Sequence, residues 1–313
     1  MSILSLTVPI YLVIVVGYAA VRRGMFSRDQ MRVLSQFVVN FALPSLMFLA
    51  IASRTVAEIL NPTYLTAYAA GTLAAFGLGY GYARLRNARV EARAFDGLGS
   101  SASNSGYVGY PLALLALPSI AGLSLGLNML VENILLLPLT LLIASSGATA
   151  HLSWTKQIRE NLRRLARNPL LIAVLLGLLV SASGLHLPDV LSRTLDLFSR
   201  ASTATALFAV GGLLAGTEAR GIVSRIAIVS AGKLVAHPLL VAAAMLACLA
   251  VGMPALAPDL RAALLVTAAL PSMTVLPVLA HTYGEERSSA AVLLVTTAVS
   301  FLTLSSLLYL LGL

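Results

Sequence analysis

Long apolar runs alternate with short polar, mostly basic connections along the whole chain. A helix needs roughly 20 mostly apolar residues to cross the hydrocarbon of a bilayer. Ten stretches fit a spanning helix: 4–21, 33–52, 63–82, 95–116, 122–146, 169–184, 196–215, 226–250, 261–281 and 289–312. The connections between them are short except for 147–168. That segment is basic and amphipathic, with His151, Trp154, Lys156, Arg159, Arg163, Arg164 and Arg167. It suits either a solvated loop or a helix lying on anionic headgroups with Trp154 at the interface. The first run lacks a basic start, and Arg22 and Arg23 follow it, so a retained helix is expected rather than a cleaved signal.

Basic residues mark the cytoplasmic ends of membrane helices. The connections after spans 1, 3, 5, 7 and 9, with the adjoining helix ends, hold sixteen Lys and Arg, running from Arg22 to Arg287. The opposite side holds four, Arg54, Arg193, Arg200 and Arg261, and Lys233 falls inside a span. The odd-numbered connections are therefore expected in the cytoplasm, with both termini on the other side.

The basic connection lies near the midpoint, with five spans before it and five after. An odd number per half reverses the orientation of the second half, which is the condition for an inverted-topology repeat. The expected organisation is a first five-helix repeat over 1–146, a cytoplasmic linker over 147–168 and a second repeat over 169–313. The fourth span of each half is interrupted in a matching way. Span 4 carries Ser103, Asn104, Ser105, Gly106, Tyr107 and Pro111, and span 9 carries Pro271, Ser272, Thr274 and Pro277. Proline removes a backbone donor and clashes with the carbonyl four residues earlier. Broken backbone at this depth is tolerated only when buried in protein or lining a wet cavity. Each break also creates half-helix N-termini with partial positive charge, and Pro111 and Pro277 suit the first turn of the following half-helix. Two matched breaks point to a substrate site near the midplane.

Composition narrows the chemistry. Of the 313 residues, 58% are hydrophobic and 11% charged, against about 25% charged in a soluble domain. This excludes a soluble enzyme, a disordered chain and a disulfide scaffold. The net charge of +9 would suggest nucleic acid in a soluble protein, but here the basic residues flank apolar runs and set topology, so no nucleic-acid partner is expected. A single cysteine, Cys248, allows neither an internal disulfide nor a cysteine zinc site. No metalloprotease, nucleophile-elbow or phosphate-loop motif occurs, and no cofactor, metal or catalytic group is expected. Without an ATP site, any transport must run on a gradient or by facilitated diffusion.

Ionisable and amide groups within the spans are costly there and so are informative. Asn104 can donate to a carboxylate and accept from a hydroxyl, and Ser103, Ser105 and Tyr107 could join it or merely satisfy freed carbonyls. Asn128 and Glu132 share a helix face in span 5, beside Asn133. Glu132 suits a coupling proton, a cation or a structural acceptor. Lys233 and His237 share a face in span 8, where Lys233 could neutralise Glu132 or attract an anion. Asn40, four residues before Pro44, suits a structural cap, and Thr203 and Thr205 commonly bond their own helix. Gly77, Gly79 and Gly81 in span 3 and Gly211 and Gly212 in span 7 suit close helix approach.

The stretches Asn40 to Pro44, Ser103 to Pro111, Asn168-Pro169, Lys233 to Pro238, Leu270 to Gly284 and the C-terminal segment from Ser288 together resemble the auxin efflux carrier family, in its bacterial branch of malate and malonate carriers. The resemblance covers essentially the whole chain. It implies an all-α membrane protein of ten helices in two inverted five-helix repeats. It implies a scaffold of helices 1, 2, 6 and 7, a transport domain on crossed, broken helices 4 and 9, and elevator-like movement of small organic anions across a bacterial cytoplasmic membrane. The chain departs from many relatives in having Thr205 where they have a proline, and only Ser272 and Thr274 where some have an amide. The expected function is a secondary transporter of a mono- or dicarboxylate, bound by Asn104, Ser103, Ser105, Tyr107, Pro111, Ser272, Thr274 and Pro277. Coupling to protons or sodium through Glu132, Asn133, Asn128, Lys233 or His237 is compatible with the sequence, as is a homodimer. The rival readings are a sodium symporter of the bile-acid type and a channel or membrane sensor.

Overall fold

The computed structural model describes residues 3–59, 61–148, 159, 163, 166–185, 187–217 and 223–313. His151, Trp154, Lys156, Arg164, His186 and Arg220 lie outside the described residues. The described chain is helical, and its one β-type pairing is an isolated antiparallel bridge between Ser103 and Ser272.

Twelve helical segments organise it. They are α1 (Ile3–Arg22), α2 (Arg28–Ala52), α3 (Pro62–Leu85), α4 (Val90–Ser101), α5 (Tyr110–Ala116), α6 (Ala121–Gly147), α7 (Pro169–Ser183), α8 (Asp189–Leu214), α9 (Val223–Ala250), α10 (Pro258–Ala268), α11 (Leu276–His281) and α12 (Glu286–Leu311). A single helical turn, Val56–Ile59, precedes α3. Six of the twelve, α1, α2, α6, α8, α9 and α12, are long and apolar enough to cross a membrane by length and composition. The other four expected spans fall short for separate reasons. α3 has 24 residues, but glycine, tyrosine and threonine dilute its apolar character. α7 is apolar but has only 15 residues. The fourth and ninth spans are each divided, into α4 and α5 and into α10 and α11.

Helix starts follow the expected end chemistry. Ser27 and Gln30 form a reciprocal capping box at α2. Asn61 and Asn168 accept backbone N–H groups at α3 and α7, each followed by proline in the first turn.

Four helical segments contain a π turn, at Val38–Ala42, Ser105–Gly109, Glu132–Leu136 and Gly232–Ala236. Each is followed at its second residue by a proline: Pro44, Pro111, Pro138 and Pro238. In all four, the residue before the proline donates its N–H five residues back instead of four, as Leu137 does to Glu132 and His237 to Gly232. The wider turn absorbs the donor that proline lacks and the clash that its ring would cause. At α2 the backbone makes this adjustment itself, and Asn40, expected as a cap, is exposed.

Packing divides the helices into two groups. α1, α2, α7 and α8 lie chiefly against one another, while α3 packs on α4 and α9, α4 on α6, and α11 on α12. Glycine governs the tightest contact in the first group. A Cβ on Gly211 would stand 1.9 Å from the Ile14 carbonyl oxygen, and one on Gly17 would stand 2.1 Å from that of Phe208. Gly79 and Gly212 are similarly enclosed, but a Cβ on Gly77 or Gly81 meets nothing within 4 Å, so these two do not serve close approach.

Polar contacts also sort the connections. Arg86 bonds Ser224, Ser145 bonds Tyr283, and Arg225 bonds Glu285, all near odd-numbered connections. Arg54 bonds the Ser119 carbonyl, Ser119 bonds Asp259, and Thr63 bonds the Pro254 carbonyl, all near even-numbered ones.

Candidate functional site

The two interrupted spans meet at their breaks. After α4 the chain turns extended at Ala102, and Ser and Asn side chains there compete with helical backbone bonding. After α10, Pro271 cannot continue the donor ladder. The exposed backbone pairs across the gap: Asn104 N donates to the Pro271 carbonyl at 2.9 Å, and Met273 N donates to the Ala102 carbonyl at 3.2 Å. Side chains complete the exchange. Ser103 Oγ donates to the Thr267 carbonyl at the end of α10, and Ser272 Oγ donates to the Gly99 carbonyl at the end of α4. The crossing therefore satisfies freed backbone groups that lipid could not.

A cavity of about 360 Å³ lies beside the crossing. Ser103, Asn104, Ser105, Gly106 and Tyr107 line one wall, and Met273, Thr274 and Val275 another. Glu132, Asn133 and Met129 of α6, Val39 and Leu43 of α2, and Asn168 and Leu170 at the start of α7 close it. It thus touches both packing groups. Its size suits a small molecule, and its few polar groups stand among apolar ones, as in ligand sites generally.

Asn104 donates one amide N–H to Thr274 Oγ1 at 2.8 Å, which joins the two breaks and leaves a second N–H. Glu132 is buried. Its Oε1 accepts from Tyr68 OH at 2.7 Å, Ser103 N at 3.1 Å and Ser105 Oγ at 3.1 Å. Its Oε2 has no hydrogen-bond partner among the described residues. Asn133 Oδ1 accepts from Asn168 Nδ2 at 2.8 Å, which ties α6 to the start of α7. Tyr107 also lines the cavity, but its hydroxyl is engaged with Ser35 of α2.

Other anticipated residues stand behind the cavity wall. Ser272 is buried in the crossing, where its N–H donates to Thr296 Oγ1 at 3.2 Å. Asn128 accepts from Tyr64 OH and donates to Thr267 Oγ1. Pro111 follows the π turn that opens the second half-helix, so Ser105–Gly109, not Pro111, forms its first turn. Pro277 sits in the first turn of α11, half-buried and outside the cavity lining. Lys233 is fully buried and donates to Ser103 Oγ at 3.1 Å, His237 Nδ1 at 3.0 Å and the Ala268 carbonyl at 2.7 Å. It therefore meets Glu132 through Ser103 rather than directly. An ammonium has three N–H groups, so these three contacts use them all. His237 Nε2 lies 3.0 Å from Thr72 Oγ1.

Three supporting residues lie outside the sequence expectations: Tyr64, Tyr68 and Thr72 on α3. They recur every four residues and meet Asn128, Glu132 and His237 in turn. A polar stripe at helical spacing within an apolar run was the available signal. An ion pair near the odd-numbered connections also lies outside the sequence expectations. Arg225 holds buried Asp96 at 2.8 Å and Glu285 at 2.8 Å, which joins α9, α4 and the entry to α12.

Comparison with known proteins is consistent across the chain. A family model described as "Membrane transport protein" matches residues 2–308. A protein of Rhizobium meliloti named "Putative malonate transporter" is 29% identical over 313 residues, which cover 99% of this chain and 96% of the relative. The "Uncharacterized transporter YfdV" of Escherichia coli is 28% identical over 217 residues, 66% of this chain and 67% of the relative.

Proposed function

The chain belongs to the membrane transport protein family, and from that premise we propose that it is a secondary carrier for a small organic anion, a mono- or dicarboxylate. The observation that carries this reading is the crossing of two broken spans beside a cavity that both packing groups line. A crossing whose backbone is satisfied internally is a rigid unit, and its half-helix starts and Asn104 offer N–H donors to a carboxylate.

In this reading the ten expected spans cross the bilayer as two inverted repeats. The contacts that join odd connections to odd and even to even support it, as does the reciprocal bonding of the breaks. α1, α2, α7 and α8 form the scaffold, and the remainder carries the cargo past it in an elevator-like movement. The glycine-tight contact of α1 with α8 and the separate packing of α3, α4 and α9 support that division. The cavity lining runs from Asn104 to Asn168 and Leu279, near the basic connections, which suits a state open to the cytoplasm.

The malonate named for the Rhizobium relative makes malonate the first probe. Purified protein in liposomes is expected to show saturable malonate counterflow, which a channel would not. Asn104→Ala is expected to reduce counterflow at least tenfold without lowering the thermal midpoint by more than a few degrees. Unchanged counterflow in that variant would remove Asn104 from the site.

A further inference from the structure

The crossing has an approximate two-fold relation about the pairing of Ser103 with Ser272. Asn104 N to the Pro271 carbonyl mirrors Met273 N to the Ala102 carbonyl. The two serine hydroxyls cap the opposite helix ends in the same reciprocal way. The two serine N–H groups also have matching acceptors, Glu132 on α6 for Ser103 and Thr296 on α12 for Ser272. A neutral hydroxyl performs in one half the backbone task that a carboxyl group performs in the other. Bonding that N–H is therefore no reason in itself for a carboxyl group at position 132.

The asymmetry coincides with the cavity. Glu132 lines it, and Thr296 does not. Glu132 Oε1 is engaged threefold, while Oε2 is buried without a partner among the described residues. A buried acceptor of this kind calls for a donor from whatever occupies the cavity. Among the described residues no side chain donates to Glu132 Oε2. Tyr68 bonds its Oε1, Tyr64 bonds Asn128, and Asn104 and Asn128 bond threonines of the other broken span. Lys233, the charged group behind Ser103, has all three N–H groups committed, and His237 is held between Lys233 and Thr72. Among the described residues, no Lys, Arg or His lines the cavity. A fully ionised acid would bring its negative charge beside a carboxylate with no cation among the described lining residues to offset it.

We propose that Glu132 and the bound acid share one proton, so that the cargo moves as an organic acid plus a proton. This deepens the carrier reading above and rests on it. The proton comes from the loading solution and bridges Glu132 Oε2 and a carboxyl oxygen of the cargo as an O–H···O bond. It departs with the cargo on release. The O–H bond made at loading is broken at unloading, and no other bond changes.

The test uses the full chain in liposomes at clamped voltage, with a pH-sensitive dye trapped inside and malonate, succinate, acetate and lactate as probes. On net entry into acid-free liposomes, and after subtraction of entry into protein-free liposomes, whichever acid the wild type exchanges is expected to acidify the lumen by one proton per molecule, and an acid-outside gradient should speed its entry at least tenfold. In Glu132→Gln and Glu132→Thr, the latter copying Thr296, the acid exchange that remains should be slower, should move no proton with the acid and should lose that acceleration. Acid entry without proton movement in the wild type overturns this inference and leaves the carrier standing. Full acceleration in either variant overturns it as well. If no acid shows counterflow, the carrier reading fails and this inference fails with it.

Discussion

At residue scale, one basic side chain shows how contact geometry decides a role. Lys233 sits in an apolar span, where a cation costs about 2.5–3.5 kcal/mol on insertion scales. Its three donors reach Ala268, Ser103 and His237, so it closes the C-terminal end of α10 and fastens α9 to both breaks. The negative end of a helix dipole favours a cation there. Hydrogen bonds to charged groups contribute about 1.5–3 kcal/mol each. Lys233→Met is therefore expected to lower stability by about 2–4 kcal/mol, read as a lower thermal midpoint in detergent. The Kd for exchanged acid should change less than threefold in the protein that folds, because no Lys233 donor remains for cargo. A tenfold weaker Kd at unchanged stability would make Lys233 a ligand contact.

At the scale of the element, proline and glycine act by local geometry. The four prolines that follow π turns leave their helices continuous, whereas the breaks at 102–104 and 270–273 interrupt theirs. The difference lies in the neighbours. Leu43, Leu137 and His237, just before Pro44, Pro138 and Pro238, each complete a π turn, whereas no π turn precedes Pro271, and Ser103 and Asn104 bond the opposite span instead of their own helix. Glycines separate just as cleanly. Gly211→Val places a side chain against the Ile14 carbonyl and should cost at least the 1–3 kcal/mol of ordinary overpacking. Gly77→Ala, in open space on α3, should change stability by less than about 1 kcal/mol. Thermal unfolding of both variants in the same detergent checks the contrast. Equal losses would mean that the α1–α8 contact is not the tight one.

At the scale of the whole molecule, the cavity lies where the two packing groups face each other, so its shape depends on their relative position. A Cβ on Gly106 would stand 2.9 Å from Leu43 Cδ1 across that boundary. A Leu43→Cys and Gly106→Cys pair, in a Cys248→Ser background, should stop exchange when bridged by a short bis-thiol reagent. Reductive release of a cleavable bridge should restore it. Undiminished exchange in the bridged protein would rule out sliding of one group past the other at this boundary. Much of this architecture was legible in the chain. Apolar run lengths, the basic bias of alternate connections and the proline-marked interruptions are local properties, because each follows from what a bilayer demands of nearby backbone. Asn104, Ser103, Ser105 and Glu132 stood out because polar groups are rare in such runs. Folding alone decided the partners. Whether Lys233 met Glu132 or Ser103, whether Gly77 or Gly79 faced a neighbouring helix, and which carboxyl oxygen stayed unpaired all depend on helix rotation. Side-chain packing sets that rotation among segments tens to more than a hundred residues apart in the chain, and no local pattern encodes it.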